Sequence, residues 1–484
     1  MNVLKHLILA GFSLVLAAHH VSAATIGRSP SQTTKPPVKP AGQTELTAKR
    51  LRTMLEAHPD ADTLGLWLKD YDFLAESNKR GHYRKLIVYG KKTARPVTVH
   101  HQTLAQASKR VRSAQKSPAQ LKPNHTLKLN LPNGQPITLV QDEITRNSNG
   151  TLTWVGHLSG QQVLPSVLSF DGNGVTGLIK TPDKTYHLDT INQTTTLTDT
   201  EAEGLRLASL HGDVVPYTIT EPASVPVRSV RSGANSRGIK RVNETTYARQ
   251  ATVSPGGLVV IDILVAYTKS LAGSDFQRKL NLYIALANQA YKDSRIDISL
   301  RLAGTQVVDY PDDSDNTQAL NDITQSQGTV QILADLKQKQ AADAVVLLRS
   351  FVADTQGGCG SAWVNGADGT PMSPDRAYAV VSTGTDAGQY CSNYALAHEL
   401  GHILGGTHDA EHSSTQGRFP YSYGYGIEGR FGDIMSYYSP EIGLFSNPEI
   451  NLCDGLACGI PDQSDLSKTF NNTARIVSGF AVKP

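Results

Sequence analysis

The chain has 484 residues, with 46 Lys and Arg against 43 Asp and Glu, 15 His and four Cys. That length exceeds what one hydrophobic core usually serves and predicts two or three domains. The net charge of +3 comes from scattered basic residues rather than a stripe, and no stretch beyond the first 23 residues is long and apolar enough to span a bilayer. Neither nucleic-acid binding nor membrane insertion is therefore expected.

In chain order, the opening MNVLKHLILAGFSLVLAAHHVSA has a basic start at Lys5, an apolar run from Leu7 to Ala18, and Val21-x-Ala23 ahead of a small-residue cut. This pattern reads as a secretory signal peptide over residues 1–23 and predicts a secreted protein. Residues 24–46, rich in Pro, Ser and Lys, are expected to be disordered. A helix is expected from about Thr47 to Ala57, followed by short alternating strands that make residues 47–220 mainly β-rich. Asn133-Gly134, Asn149-Gly150 and the stretch FDGNG at 170–174 are its turn signals, and His100-His101 reads as an exposed pair. Residues 221–249 are dominated by Pro, Ser, Gly and Arg and read as an exposed linker, with Lys240-Arg241 and Arg249 as candidate processing sites.

From residue 250 the texture changes. LVVIDILVAYT (258–268) is a nearly continuous apolar run of the kind buried on both faces of a parallel sheet. An amphipathic helix over 275–294, a strand over 296–308, one or two helices between 317 and 341, and strands at 343–350 and 378–383 follow. Strands alternating with helices predict an α/β layer with a mostly parallel sheet. All four cysteines lie beyond residue 350, and proximity favours pairing Cys359 with Cys391 and Cys453 with Cys458 among the three possible connectivities. Charge is split: residues 1–250 carry +13 (31 basic, 18 acidic) and residues 251–484 carry −10 (15 basic, 25 acidic). Opposite signs predict mutual attraction of the two halves.

The chemistry concentrates in LAHELGHILGGTHD, residues 396–409. Residues four apart share one helix face, so His398 and His402 can hold one metal ion. Glu399 then stands where its carboxylate reaches a water on that ion. Gly405 can take the positive φ that ends a helix, and the turn brings His408 back as a third ligand. Three imidazoles leave one position open, as catalytic zinc requires. His412 and Glu428 are rival third ligands, disfavoured by the spacing.

The pattern H-E-x-x-H-x-x-G-x-x-H resembles the metzincin zinc endopeptidases. That resemblance implies one catalytic Zn²⁺, protein or peptide substrates, and a Met-turn, which GDIMSYYSP supplies at Met435. Asp409 is similar to the reprolysin branch, where such an aspartate orients the active-site loops. Tyr437 is similar to the astacin and serralysin tyrosine that ligates zinc or stabilises the transition state, a packed aromatic being the alternative. The stretch YYSPEIGLFSNPEINLCDGLACGIPD and the later NNTAR resemble secreted bacterial reprolysin-like enzymes, including peptidyl-Asp metalloendopeptidases, over roughly residues 256–480. The implied fold is an α/β metzincin-like catalytic domain over 250–484, a mixed and mostly parallel twisted sheet with an active-site helix and Met-turn, preceded by a β-rich prodomain. The resemblance makes CGSAWVNG (359–366) the edge strand that binds substrate as an added strand, and puts the specificity wall near 437–448. That wall holds Glu441 and no basic residue, so selectivity for Asp depends on Arg430 or Arg418 reaching in.

Residues 24–249 read as a propeptide that assists folding and blocks the zinc site before activation. No cysteine precedes Cys359, so a thiolate cannot serve as the block; Asp171 is a candidate, a plain hairpin turn the alternative. The expected function is a secreted zinc endopeptidase made as a zymogen. A non-catalytic zinc-binding toxin or adhesin on the same scaffold is the competing reading, and Glu399 beside intact ligands argues against it.

Overall fold

The computed structural model describes residues 126–199 with short breaks, 206–208 and 243–481 apart from residue 274, together with the backbone of strands at 64–65, 67–68, 94–98 and 214–215. The signal peptide, residues 24–46, the helix expected at Thr47–Ala57, His100-His101, Asn133-Gly134 and Lys240-Arg241 lie outside the described residues.

The N-terminal half is a ten-stranded sheet, as its alternating pattern predicts. In chain order its strands are β1 (Leu64–Gly65), β2 (Trp67–Leu68), β3 (Ala94–Thr98), β4 (Thr126–Asn130), β5 (Pro136–Arg146), β6 (Leu152–Leu158), β7 (Ser166–Phe170), β8 (Val175–Lys180), β9 (Thr185–Ile191) and β10 (Thr194–Asp199). They lie in the order β1-β4-β5-β6-β7-β8-β9-β10-β3-β2, and β4 through β10 form an antiparallel up-and-down meander. One face closes over its own core, with Leu139, Trp154, Leu168, Phe170, Ile179 and Leu188. Strands β7 and β8 are buried at every position. The cause is on the other face, where Val155, Val167 and Leu178 belong to the core of the C-terminal half.

Between the halves come β11 (Arg206–Leu207) and β12 (Val214–Val215), then helix α1 (Glu244–Gln250) and β13 (Thr252–Val253). The C-terminal sheet is built from β14 (Val259–Thr268), β15 (Ile298–Val308), β16 (Ala344–Ser350), β17 (Gly360–Trp363) and β18 (Tyr378–Thr383). Strands β15, β14, β16 and β18 run parallel, and β17 lies antiparallel beside β18. This is the mixed, mostly parallel sheet that the strand–helix alternation predicts. Helix α2 (Phe276–Asp293) sits between this sheet and the N-terminal one; α3 (Asn316–Thr324), α4 (Ile332–Lys339), α5 (Ala395–Ile403) and α6 (Leu466–Val477) complete the layer. Both disulfides, Cys359–Cys391 and Cys453–Cys458, pair as expected.

Two expectations need correction. The halves do dock, but among the described residues three close ion pairs between them run against the overall charge split. Asp171 pairs with Arg278 at 3.2 Å, Asp189 with Lys279 at 3.4 Å and Glu143 with Lys292 at 3.9 Å, so in each case the N-terminal half supplies the acid. Net charge sums over solvated residues, whereas docking rests on the shared apolar core and a few local pairs. The linker expected through Arg249 also ends early. Asn243 caps α1 by accepting the Thr246 amide, Tyr247 packs edge-on against Phe480 at 5.2 Å, and Glu244 pairs with Arg418 at 2.9 Å. Helix α1 is therefore anchored on the C-terminal body.

Candidate metal centre and active site

Helix α5 is buried along its whole length, so its sequence LAHELGHI is apolar except where it carries chemistry. Its C-terminus closes as a Schellman turn: the Gly406 amide donates to Gly401 O, the Gly405 amide donates to His402 O, and Gly405 has φ +89°. A Cβ at Gly405 would stand 2.7 Å from the Arg418 Cβ. Gly405→Ala therefore combines a left-handed backbone with a clash and is expected to cost about 2–3 kcal/mol, measured by urea unfolding of the metal-loaded protein.

The turn carries the chain back so that His398, His402 and His408 bring one nitrogen each within 4.8 Å of one another. The Nε2 atoms of His398 and His408 are 3.2 Å apart. His398 Nδ1 lies 2.6 Å from Ile434 O and His402 Nδ1 lies 3.0 Å from Gly406 O. A carbonyl can only accept, so each Nδ1 carries the proton and each Nε2 keeps its lone pair for a metal. Burial, reinforced by the neighbouring His398, pushes the His402 imidazole well below its usual range and keeps it neutral. His402 Nε2 is buried without a hydrogen-bond partner. Converging lone pairs with an orphaned buried nitrogen fit a metal ion, which would satisfy them together.

Glu399 is fully buried, against the start of β17: a Cβ on Gly360 would lie 2.2 Å from its Oε1. Tyr437 stands at the edge of the cluster, its hydroxyl 3.3 Å from His408 Nε2. Asp409 ties the surrounding loops: one carboxylate oxygen accepts the Tyr437 amide at 3.0 Å and the other pairs with His412 Nδ1 at 2.7 Å. His412 and Glu428 both lie outside the cluster, and Glu428 is exposed. Beneath the helix, Met435 is fully buried with its sulfur 2.5 Å from where a Gly401 Cβ would stand, so residue 401 has room for no side chain. Asp433 accepts the Met435 amide at 3.0 Å, and burial raises its carboxyl well above the usual range. The backbone acceptors Ile434 O and Gly406 O escaped the sequence reading, because a carbonyl leaves no mark on residue identity.

Two arrangements concern access. Strand β12 pairs in parallel with β17, Val214 opposite Ala362 and Val215 opposite Trp363. Strand β11 pairs in parallel with β19 (Gln389–Tyr390), and the Ala208 amide donates to Tyr390 O at 2.8 Å. The N-terminal half thus occupies the edge of the catalytic sheet. Asp171 is not near the histidines; it closes its hairpin by accepting the Asn173 amide and pairs with Arg278 on α2.

Residues 257–464 match the metallo-peptidase family M12B, reprolysin-like. The chain is a metalloendopeptidase with a reprolysin-like domain. Its metal-binding motif and strands β14 to β18 fall within that match, and residues 91–203 match the BamI lipocalin-like domain, in keeping with the antiparallel meander. This metalloendopeptidase is similar to proteins named peptidyl-Asp metalloendopeptidase. That of Stenotrophomonas maltophilia is 26% identical over 72% of this chain and 81% of its own. That of Xanthomonas campestris pv. campestris is 25% identical over 72% and 80%, and that of Pseudomonas aeruginosa 28% identical over 46% and 40%. Metalloproteinase-II from Bacteroides fragilis overlaps 71% of the metalloendopeptidase and 95% of its own chain at 11% identity and a TM-score of 0.40, too slight an overlap to bear on the fold.

Proposed function

We propose that the chain is a secreted zinc endopeptidase, made as a zymogen, in which Glu399 is the general base. The observation that carries this reading is the convergence of three Nε2 lone pairs beside a buried Glu399, at the foot of the sheet's edge strand. A donor set of three neutral imidazoles suits zinc with an open position. Bound zinc supplies a Lewis acid that polarises the scissile carbonyl and makes water a stronger nucleophile at neutral pH. His398 and His402 are held for that ion by Ile434 O and Gly406 O. The Glu399 carboxylate accepts the proton of the attacking water and returns it to the leaving amine. The Tyr437 hydroxyl stands where it can ligate the ion or donate to the developing oxyanion. We read the turn at Met435 as the Met-turn, a packed floor that fixes the helix and the third ligand.

Strand β17 offers a substrate its backbone as the template for an added strand. In the full chain that edge is taken by β12, which supports autoinhibition by residues 24–249. A cut after Arg241 would leave α1 and its Glu244–Arg418 pair in place, whereas a cut after Arg249 would sever that helix from the body. The N-terminal pattern and the two disulfides support export, and no helix among the described residues is long and apolar enough to cross a membrane.

The test is cleavage of a denatured protein mixture by the processed enzyme. Cuts that vanish on chelation and return with one equivalent of zinc are the expected result; undiminished cleavage by chelated protein shown to be metal-free would reject the reading. Gly360→Ala should lower activity at least tenfold with zinc content unchanged, since its Cβ would displace the Glu399 carboxylate by steric overlap.

A further inference from the structure

Next to the metal centre, a lysine of the N-terminal half enters the catalytic half. Lys180, the last residue of β8, is buried at 8% exposure, with its Nζ 5.3 Å above the centre of the Tyr394 ring. Tyr394 is the residue before α5, and its carbonyl accepts the His398 amide at 2.9 Å, so Lys180 lies one helical turn from the first ligand. Tyr394 abuts Gly443, where any Cβ would lie 2.2 Å from its hydroxyl. Among the described residues the acid acting on Lys180 is Glu441, whose carboxylate accepts from Ser392 Oγ, the same hydroxyl that accepts the Tyr394 amide at 3.0 Å. The backbone places Glu441 on the same segment as the His398 acceptor: Gly432 bridges to Glu441, and the Ile434 amide donates to Leu444 O. Burial lowers the Lys180 ammonium and raises the Glu441 carboxyl, each partly offset by the other's charge.

On the zymogen reading, the half-buried Glu441 and the Tyr394 ring form a site that Lys180 covers until the N-terminal half leaves. Resting on the zymogen reading above, we propose that Glu441 is a specificity-determining residue: the space vacated by Lys180 takes the Lys or Arg side chain of a substrate, against Glu441 and over the Tyr394 ring. The cations that selectivity for Asp would need are engaged elsewhere, Arg430 with Asp454 and Arg418 with Glu244.

The experiment expresses the full chain, lets it be processed, and reads cuts in a peptide library by mass spectrometry. Three proteins are compared: the natural enzyme, Glu441→Gln, and Lys180→Glu combined with Glu441→Lys, which keeps an opposite-charge pair across the interface during folding. The natural enzyme is expected to favour Lys or Arg at one fixed position beside the cut by at least tenfold over Leu. Glu441→Gln should lose that ratio, and the swapped pair should turn it towards Asp and Glu, all three at equal zinc content. A preference for Asp in the natural enzyme, or a Lys and Arg preference that survives Glu441→Gln, would overturn the proposal. Failure of the zymogen reading has a separate signature: full activity in protein that still carries residues 24–241 uncut.

Discussion

Glu399→Gln is expected to abolish proteolysis, with cleavage of a reporter peptide falling by a factor on the order of 10²–10⁴, while bound zinc stays at one per chain. The substitution keeps the shape of a fully buried side chain packed against Gly360 and removes only its capacity to take a proton. Metal analysis beside the rate assay separates this result from damage to the site. A variant that has lost activity together with its zinc would point to a structural fault, and one that retains both would exclude Glu399 as the base. Because the ligands are held by Ile434 O and Gly406 O rather than by Glu399, zinc retention is the physical expectation.

The second large effect concerns the N-terminal half. On the reading that substrate backbone pairs with β17, the uncut chain should show at least 100-fold lower activity than the processed enzyme, since β12 occupies that edge. Asp171→Ala should relieve part of that block. It strips a carboxylate from Arg278, whose guanidinium is buried and also donates to Thr190 O across the interface at 3.3 Å. Losing a charge-assisted contact of this kind costs about 1–2 kcal/mol, so the activity of uncut Asp171→Ala should rise roughly tenfold, as followed with a short fluorogenic peptide. No change in the uncut variant's rate would place the hold elsewhere, in the apolar contacts of Val155, Val167 and Leu178.

The cluster of three histidines was legible because its information is local. Two histidines four apart, a glycine that must take positive φ, and a third histidine three residues beyond it specify a site almost without reference to the rest of the chain. The buried strands were legible for a similar reason: runs such as VVIDILVAYT and AVVLLRS can be satisfied only inside a sheet. What escaped is long-range. Nothing around Lys180 announces Glu441, 261 positions later, and nothing in the FDGNG turn points Asp171 at Arg278 rather than at a metal. Charge summed over halves misled because solvated lysines count as much as buried ones. Helix α1 was missed although its signal was present: Asn243 followed by Glu244 is a cap with an acid in the first turn, obscured by the Ser, Gly and Arg before it.

The apolar surface shared between the halves has a consequence for the time course of activation. Cutting the chain near residue 241 removes no contact between Val155, Val167 or Leu178 and helix α2, so the nicked protein begins as a tight non-covalent complex. On the zymogen reading, scission and the appearance of activity then become separate events, joined by a dissociation step whose extent falls as protein concentration rises, because the freed fragment rebinds. Dilution should raise the fraction released, and digestion of the freed fragment by escaped enzyme makes that release irreversible.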